Sequence, residues 1–322
     1  MLLAASEWGK ISVDGVEFSL KPSTFVKRPH FTTKKKIIDK SFPELDDYVK
    51  SPTFHNFADA ILASSDFVKV ESTILERQFA RQPKLSLTKS MRIDLEIFLA
   101  DRIIETGPDA ISIDVKKKRY LLPPRATFIQ CDMRHLATFN LAQFDLIYMD
   151  PPWQNKSVRR GSKYAVHSND DLFDWIQVER LLSDEGLIAV WITNKRSVED
   201  FVRAYFATHS LSYAGEWEWV KLAASGETVY PLGSSHKRPT ERLLFFSKSR
   251  KIRGQTIYSV ASAIHSRKPF IYAHLEQLLS TSSNAKMIEL FARRLRSNWL
   301  SIGNEPMYLH DAVFYHTAKN DE

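Results

Sequence analysis

The stretch Phe144–Trp153 reads Phe-Asp-Leu-Ile-Tyr-Met-Asp-Pro-Pro-Trp, an apolar run that stops at an acid and two prolines. The run Phe144–Met149 is rich in β-branched and aromatic residues, which predicts a buried strand ending in a rigid loop. Asp150 therefore stands at the carboxyl end of a strand, where open α/β sheets bind their ligands. The two prolines donate no N–H and leave their carbonyls as acceptors, and Trp153 adds a flat aromatic face. This combination suits a flat heterocycle with an exocyclic amine.

The tetrapeptide Asp150-Pro151-Pro152-Trp153 resembles the (Asn/Asp/Ser)-Pro-Pro-(Tyr/Phe/Trp) signature of amino-methyltransferases that use S-adenosylmethionine. With its flanking sequence it resembles the eukaryotic mRNA adenosine N(6)-methyltransferase family, and within that family the methyltransferase-like four branch. The resemblance covers roughly residues 123–305. It implies S-adenosylmethionine as the cofactor and S-adenosylhomocysteine as the product. No metal is expected, because Asp170-Asp171 and the scattered histidines show no usual metal-ligand spacing. For the tetrapeptide alone, a plain strand followed by a Pro-Pro turn is the structural alternative.

The composition narrows the class of protein. The 322 residues are 43% apolar, which is enough for one large or two moderate domains. No apolar run approaches a membrane span, and the first residues lack the basic start of a signal peptide. A lone cysteine, Cys131, excludes an intramolecular disulfide and fits a reducing compartment. The net charge of +7 favours a polyanionic partner, although many basic proteins bind no nucleic acid.

The chain is predicted to divide at the paired prolines Pro123-Pro124. Residues 1–122 are expected to form a mainly helical accessory domain with a small hairpin, which would help to clamp nucleic acid. Residues 123–322 are expected to form the catalytic domain.

Local patterns in the first 122 residues support that description. Alternating residues in Glu7–Leu20, on either side of Asp14-Gly15, predict the hairpin. Helical periodicity covers Ile61–Ala80 and Met91–Thr106. Residues 27–40 are rich in lysine and arginine, which fits a solvated loop at least as well as an arm that follows phosphates.

After Pro124, strands alternate with helices, which predicts a mainly parallel α/β sheet with helices on both faces. The pair of strands around the polar loop 225–241 is expected to form an antiparallel edge. The predicted strands are Thr127–Gln130, Phe144–Met149, Leu187–Ile192, Tyr213–Lys221, Arg242–Ser247, Met287–Phe291 and Trp299–Ile302. The predicted helices run from Asn169 through Leu182, from Ser197 with Asp200 as a capping box, and around Tyr272–Leu279.

The order of these strands indicates a permuted sheet. A Gly-x-Gly-x-x-Gly turn is absent, and the strand that ends Glu289-Leu290-Phe291-Ala292-Arg293 comes late. The resemblance implies the same arrangement, with Glu-Leu-Phe-(Gly/Ala)-Arg in the late strand. The predicted fold is therefore a Rossmann-like S-adenosylmethionine-dependent methyltransferase sheet in permuted order.

Methyl transfer from a sulfonium to an amine requires alignment of the two groups and exclusion of water. We expect Asp150 and the Pro151 carbonyl to accept the two amine hydrogens of adenine, which localises the nitrogen lone pair. Trp153 is expected to stack on the base. The predicted catalytic residues are Asp150, Pro151, Pro152 and Trp153.

The resemblance also implies a set of cofactor-binding residues. Cys131-Asp132-Met133 is similar to the family's Cys-Asp-Ile segment, which faces the adenine and amino-acid portions of the cofactor. Lys268, within His265–Pro269, is similar to the lysine of the family's Ser-His-Lys-Pro stretch. Taken singly, each position has a structural explanation, such as core packing for Phe291. The implied set is Cys131, Asp132, Met133, Asp150, Lys268, Phe291, Arg293, Asn304 and Glu305.

Two loops are expected to bind the acceptor. Gln154–Tyr164 follows the tetrapeptide directly and is basic, which suits phosphates beside an unpaired base. Ser225–Glu241 is longer than a plain connection needs. A solvated charged loop is the alternative for the basic residues. The predicted substrate-binding residues are Asn155, Lys156, Ser157, Arg159, Arg160, His236, Lys237, Arg238, Glu241 and Lys268.

These observations favour an N(6)-adenine methyltransferase that acts on RNA. The resemblance further implies a 2′-O-methylated adenosine of a small nuclear RNA as target, and a monomeric enzyme rather than the heterodimer found elsewhere in the family. That substrate and the basic clusters indicate residence in the nucleus, with the cytoplasm as a second compartment. DNA adenine methylation is the alternative within the enzyme class. A non-catalytic nucleic-acid-binding subunit is the alternative outside it, and the intact Asp150-Pro151-Pro152-Trp153 argues against that.

Overall fold

In this computed structural model the described residues are 2–3, 11–13, 16–20, 103–115, 118–153, 169–232, 234, 237–264, 267–279 and 285–317. Their strands are β1 (Leu2–Leu3), β2 (Ile11–Val13), β3 (Val16–Leu20), β4 (Ile103–Glu105), β5 (Ile111–Val115), β6 (Lys118–Leu122), β7 (Thr127–Gln130), β8 (Phe144–Met149), β9 (Leu182–Ile192), β10 (Ser212–Leu222), β11 (Thr240–Ser247), β12 (Gln255–Val260), β13 (Met287–Leu290), β14 (Leu300–Gly303) and β15 (Tyr315–Thr317).

The α-helices of the described residues are α1 (Asn169–Ile176), α2 (Arg196–Thr208) and α3 (Tyr272–Glu276). Short 3₁₀ helices cover Met133–Thr138, Val178–Leu181, Tyr308–His310 and Ala312–Phe314. In this part of the chain, no helix is both long enough and apolar enough to cross a membrane. The predicted helix Ile61–Ala80 and the basic residues 27–40 lie outside the described residues.

Ten strands form one sheet in the order β1-β12-β10-β11-β9-β8-β13-β14-β7-β4. The central strands β9, β8, β13, β14 and β7 are parallel. The strand that ends at Met149 therefore pairs with β13, which comes late in the chain. This adjacency confirms the predicted permuted order and the predicted fold class.

The antiparallel strand lies inside the sheet. Strand β11 is antiparallel to both β9 and β10. The sequence predicted this pair at an edge, which is wrong because β12 and β1 continue the sheet beyond β10 through parallel pairing. The prediction omitted β12, three of whose six residues, Gln255, Thr256 and Ser259, are polar.

Apolar side chains cover both faces of the central strands. Along β8, Ile147 and Met149 join a core that includes α1 and α2, while Leu146 and Tyr148 join a second core that includes α3. The division follows from the alternation of side chains along a strand. Helices therefore lie on both faces, as predicted, and the two faces of β8 are both buried.

Two helix boundaries differ from the prediction. Helix α1 ends at Ile176, because Gln177 adopts a φ of +46° and a 3₁₀ turn leads into β9 at Leu182. Helix α2 begins at Arg196 with Lys195 as its N-cap, and Lys195 makes no side-chain capping hydrogen bond. The predicted capping box at Ser197 is therefore wrong.

Strands from the first part of the chain pair with the remainder. The hairpin of β2 and β3 is confirmed, and β15 extends it to three strands. Strand β4 pairs antiparallel with β7 at the edge of the main sheet. The predicted helix Met91–Thr106 is therefore wrong at its end, where exposed and half-buried residues alternate as in an edge strand. A domain boundary at Pro123-Pro124 stays a prediction.

Candidate active site

Asp150 lies at the carboxyl end of β8, as the sequence predicted. Pro151 is buried and Pro152 is exposed. The Pro151 carbonyl accepts a 2.8 Å hydrogen bond from the backbone N–H of Trp153, so one of its two lone pairs is already engaged. The prediction of a wholly free carbonyl is thus corrected, although a second lone pair remains for an incoming donor.

Trp153 anchors the loop after β8. Its Nε1 donates a 2.7 Å hydrogen bond to the carbonyl of Trp191 on β9. Its ring stacks on Phe173 of α1, with centroids 5.9 Å apart and planes at 21°. With 7% of the side chain exposed, the ring offers little surface for a stacked base. The geometry therefore supports an anchoring role for Trp153, and the stacking of a base on its ring stays a prediction.

Four charged side chains form a chain across the site. Lys268 Nζ lies 3.2 Å from Asp150 Oδ1 and 2.6 Å from Glu241 Oε2. Glu241 Oε1 accepts a hydrogen bond from Lys221 Nζ. Two acids and two lysines thus alternate, and Lys268 also lies over the ring of Trp191 at 5.4 Å. The structure brings together Asp150, Glu241 and Lys268, which the sequence selected from three separate segments.

The pKa values of the two acids, Asp150 and Glu241, shift in opposite directions. Burial raises the pKa of Asp150, and the nearby Lys268 offsets only part of that effect. Burial also raises the pKa of Glu241, but Lys268 and Lys221 together outweigh it and lower the pKa to about 2. Burial acts to lower the pKa of Lys268, and the two carboxylates reverse this and raise it. Lys268 is therefore a firmly held cation.

The predicted cofactor residues of the Cys-Asp-Met segment follow β7. The backbone N–H of Cys131 donates to the Gly303 carbonyl at 3.1 Å, which joins the ends of β7 and β14. Cys131 and Met133 are buried. Asp132 accepts from the backbone N–H of Arg134 at 3.0 Å and forms an ion pair with its guanidinium at 2.6 Å. The hydrogen bond from Arg134 holds the pKa of Asp132 below its usual range.

The remaining cofactor candidates follow β13 and β14. Phe291 adopts a φ of +60°, which turns the chain sharply after β13. Arg293 lies over the ring of Tyr308 at 4.5 Å and contacts Glu305 at 3.4 Å. Asn304 is exposed beside this pair. The ends of the neighbouring strands β7, β14, β13 and β8 therefore gather the predicted cofactor residues along one edge of the sheet.

The turn after β13 leaves no room for a side chain on Gly303. A Cβ at this position would lie 2.8 Å from the Ala292 carbonyl oxygen and 2.9 Å from the Ala292 nitrogen. The backbone N–H of Ala292 donates to Ile302 at 2.8 Å. A glycine is needed here for close approach of two backbone segments.

The acceptor candidates divide into two groups. Lys237 and Arg238 are exposed on the segment that leads into β11, beside Glu241. The loop after β9 is tied to this segment, because Asn194 Nδ2 donates to the Thr240 carbonyl at 2.6 Å. The other acceptor candidates lie outside the described residues and stay predictions: Asn155, Lys156, Ser157, Arg159, Arg160 and His236.

Sequence reasoning missed four residues of the site, namely Lys221, Trp191, Tyr272 and Glu289. A signal existed for Glu289, which opens the late Glu-Leu-Phe-Ala-Arg string, and for Lys221, which shares a strand face with Trp219. For Trp191 and Tyr272 the sequence carries no signal beyond an apolar run. Within the part of the chain that the structure describes, no three His, Cys, Asp or Glu side chains are grouped so that they could hold a metal ion.

The sequence of this chain resembles a known protein family and several known proteins. The family model named MT-A70 matches residues 144–305. The human N(6)-adenine-specific methyltransferase METTL4 is 33% identical over 240 residues, which are 68% of this chain and 50% of the relative.

Two further relatives carry different substrate names. The N6-methyladenosine RNA methyltransferase MTA1 of Cryphonectria parasitica is 38% identical over 185 residues, which cover 53% of this chain and 54% of that protein. The DNA N6-methyl methyltransferase of Caenorhabditis elegans is 30% identical over 201 residues, which cover 59% of this chain and 54% of that protein.

The chain spans about half the length of the curated relatives it matches. The family match begins at the strand that carries Asp150 and ends at Glu305, so it contains Lys268, Glu241 and the turn after β13. By this match the chain belongs to the MT-A70 family of S-adenosylmethionine-dependent methyltransferases.

Proposed function

We propose that this chain is an S-adenosylmethionine-dependent N(6)-adenine methyltransferase that acts on RNA. The observation that carries the proposal is the carboxylate of Asp150, which is 24% exposed at the carboxyl end of β8. Its Oδ1 contacts Lys268, and its Oδ2 has no hydrogen-bond partner among the described residues. An ionised carboxylate in this position is an acceptor for an amine hydrogen.

The residues present fit the cofactor by the chemistry of their side chains. Lys268, beside Asp150 at the end of β8, offers a cation to a carboxylate. Glu305 and Asn304 offer an acid and an amide to a vicinal diol at the ends of the same strands. This donor set matches an amino acid joined to a ribose.

When bound, S-adenosylmethionine supplies a methyl group activated by a sulfonium. The residues of this chain then align the amine and exclude water. Asp150 Oδ2 accepts one amine hydrogen, and the second lone pair of the Pro151 carbonyl accepts the other. The hydrogen bond from Trp153 to Trp191 holds the loop so that these two acceptors keep their spacing.

An RNA acceptor is supported by the net charge of +7 and by the name of the fungal relative. A 2′-O-methylated adenosine of a small nuclear RNA is the finer proposal, and it rests on the resemblance to the methyltransferase-like four branch. Action as a monomer is proposed from the same resemblance, and nuclear residence is proposed from this substrate and the basic clusters of the sequence. The accessory region, residues 1–122, is proposed to help to clamp the RNA.

DNA is the second candidate acceptor, because the nematode relative is named as a DNA methyltransferase. Transfer of a labelled methyl group from S-adenosylmethionine to four oligonucleotides separates the candidates. The acceptors are RNA with adenosine, RNA with 2′-O-methyladenosine, single-stranded DNA and duplex DNA. We expect the highest rate with the 2′-O-methylated RNA.

Asp150→Ala is expected to lower the rate at least about 100-fold, a loss typical of removing one preorganised hydrogen-bonding group at a reacting centre. The matched control is Asp184→Asn, since Asp184 is 91% exposed and pairs with Lys248 away from the site. Near-normal activity of Asp150→Ala would contradict the assignment. Binding of no cofactor by the wild-type protein would favour a non-catalytic subunit.

A further inference from the structure

A second acid lies beside Asp150 on the same face of the sheet. Glu289 of β13 pairs in register with Tyr148 of β8, two residues before Asp150. Residues in register on neighbouring strands share a face, and so do residues two apart on one strand. Tyr148, Asp150 and Glu289 therefore line one surface beneath the site. Glu289 is 8% exposed.

Glu289 differs from the other acids of the site in its partners. Asp150 contacts Lys268, and Glu241 contacts both Lys268 and Lys221. Glu289 Oε2 accepts a 2.8 Å hydrogen bond from the Tyr272 hydroxyl. Among the described residues it has no other hydrogen bond and no ion pair. A buried acid normally has a cationic partner. Arg294 and Arg296 act on Glu289 only at a distance, without an ion pair, so its other oxygen, Oε1, can accept a further cation.

The charged and titratable groups around Glu289 come from three elements. Tyr148 and Asp150 belong to β8 and its loop, Tyr272 to α3, and Arg294 and Arg296 to the segment after β13. Burial raises the pKa of Glu289 to about 8, and the Tyr272 hydrogen bond and the two arginines offset only part of this effect. Without a bound cation, the Glu289 side chain is therefore mostly protonated below about pH 8.

We propose that Glu289 is a cofactor-binding residue whose second carboxylate oxygen receives a positive charge of S-adenosylmethionine. The inference rests on the proposed function, which supplies the cofactor. Two groups of that cofactor carry such a charge, the α-ammonium and the sulfonium. S-adenosylhomocysteine keeps the ammonium and lacks the sulfonium, so the two ligands distinguish the two sources.

Ligand affinity should depend on pH, because binding changes the protonation of Glu289. A cation that settles against Glu289 favours its ionised form and releases the proton that the acid held. Affinity therefore rises with pH up to about 8, and binding releases a proton below that pH. The amine of the ligand titrates in the same range, but its contribution is common to all variants, so the difference between wild type and Glu289→Gln isolates this carboxyl group.

The test is isothermal titration calorimetry of the full chain with each ligand at pH 6.5, 7.5 and 8.5, in two buffers of different ionisation enthalpy. We expect Glu289→Gln to weaken S-adenosylmethionine binding about tenfold or more at pH 8.5, in keeping with a hydrogen bond to a charged group. We also expect it to release fewer protons than wild type at pH 7.5. An equal loss for S-adenosylhomocysteine assigns the ammonium, and an unchanged affinity for it assigns the sulfonium.

Tyr272→Phe is the second variant, and it keeps the proposal testable if Glu289→Gln does not fold. It removes the hydrogen bond that lowers the pKa of Glu289, so proton release should shift to higher pH while the carboxyl group stays. Wild-type affinity and proton release in Glu289→Gln, or a wild-type profile in Tyr272→Phe, would overturn the proposal. Failure of the wild-type chain to bind either ligand would instead overturn the proposed function, and this inference with it.

Discussion

Replacement of Glu241 by Gln removes the carboxylate that lies between Lys268 and Lys221. Burial raises the pKa of Glu241, but Lys268 and Lys221 outweigh it, so that the pKa falls from 4.5 to about 2. A folded-state pKa below the unfolded value means that the ionised group stabilises the fold above about pH 4.5. That stabilisation disappears as the pH falls through about 2.

The size of the effect follows from the pKa difference. About 2.5 pKa units at about 1.4 kcal/mol each give about 3.5 kcal/mol of stability at pH 7. The same linkage relation gives about 1.4 kcal/mol at pH 3, because the unfolded chain is then largely protonated. Glutamine keeps the shape of the side chain but leaves Lys268 and Lys221 close together without their shared anion, which adds to the loss.

Urea unfolding of wild type and Glu241→Gln at pH 7 and pH 3 measures this difference. We expect the free energy of unfolding to fall by about 3.5 kcal/mol at pH 7 and by less than half of that at pH 3. Asp184→Asn is the control and should cause no measurable change, because its ion pair with Lys248 is exposed. An equal loss at the two pH values, or a loss no larger than that of the control, would refute the reasoning.

Two further variants test the backbone of the site. Gly303→Ala places a Cβ 2.8 Å from the Ala292 carbonyl oxygen. It should lower the free energy of unfolding by about 1–3 kcal/mol, measured by thermal unfolding, and it should weaken S-adenosylmethionine binding. Unchanged values in both assays would contradict the close approach. Trp153→Phe removes the 2.7 Å hydrogen bond to the Trp191 carbonyl. It should lower the free energy of unfolding by about 1 kcal/mol and speed hydrogen exchange of the backbone amide at position 153. Exchange as slow as in wild type would count against the anchoring role.

The strand that carries Asp150 could be predicted from sequence because its determinants are local. The apolar run Leu146–Met149 favours burial on both faces, and two prolines after the acid end the strand. The permuted order could also be predicted. The sequence has no Gly-x-Gly-x-x-Gly turn, and the strand that ends in Glu-Leu-Phe-Ala-Arg comes late in the chain, after the strand that leads to Asp150. Burial of β8 and its pairing with β13 agree with both inferences.

The contacts within the site could not be predicted in the same way. Lys221, Glu241 and Lys268 lie on three separate segments, and only the antiparallel placement of β11 beside β10 brings the first two together. The burial of Trp153 depends on Phe173 of α1, which no local pattern connects to it. Strand β12 has too many polar residues for its apolar pattern to stand out, and its pairing with β10 decides its conformation.

The most direct test of the central claim is nucleoside analysis by mass spectrometry of an adenosine-containing RNA after incubation with S-adenosylmethionine. Wild-type protein should produce adenosine methylated at N6, Asp184→Asn should produce as much, and Asp150→Asn should produce at most about one hundredth of it. A methyl group on another atom, or equal N6 methylation by Asp150→Asn, would contradict the role of Asp150 as the acceptor that aligns the amine.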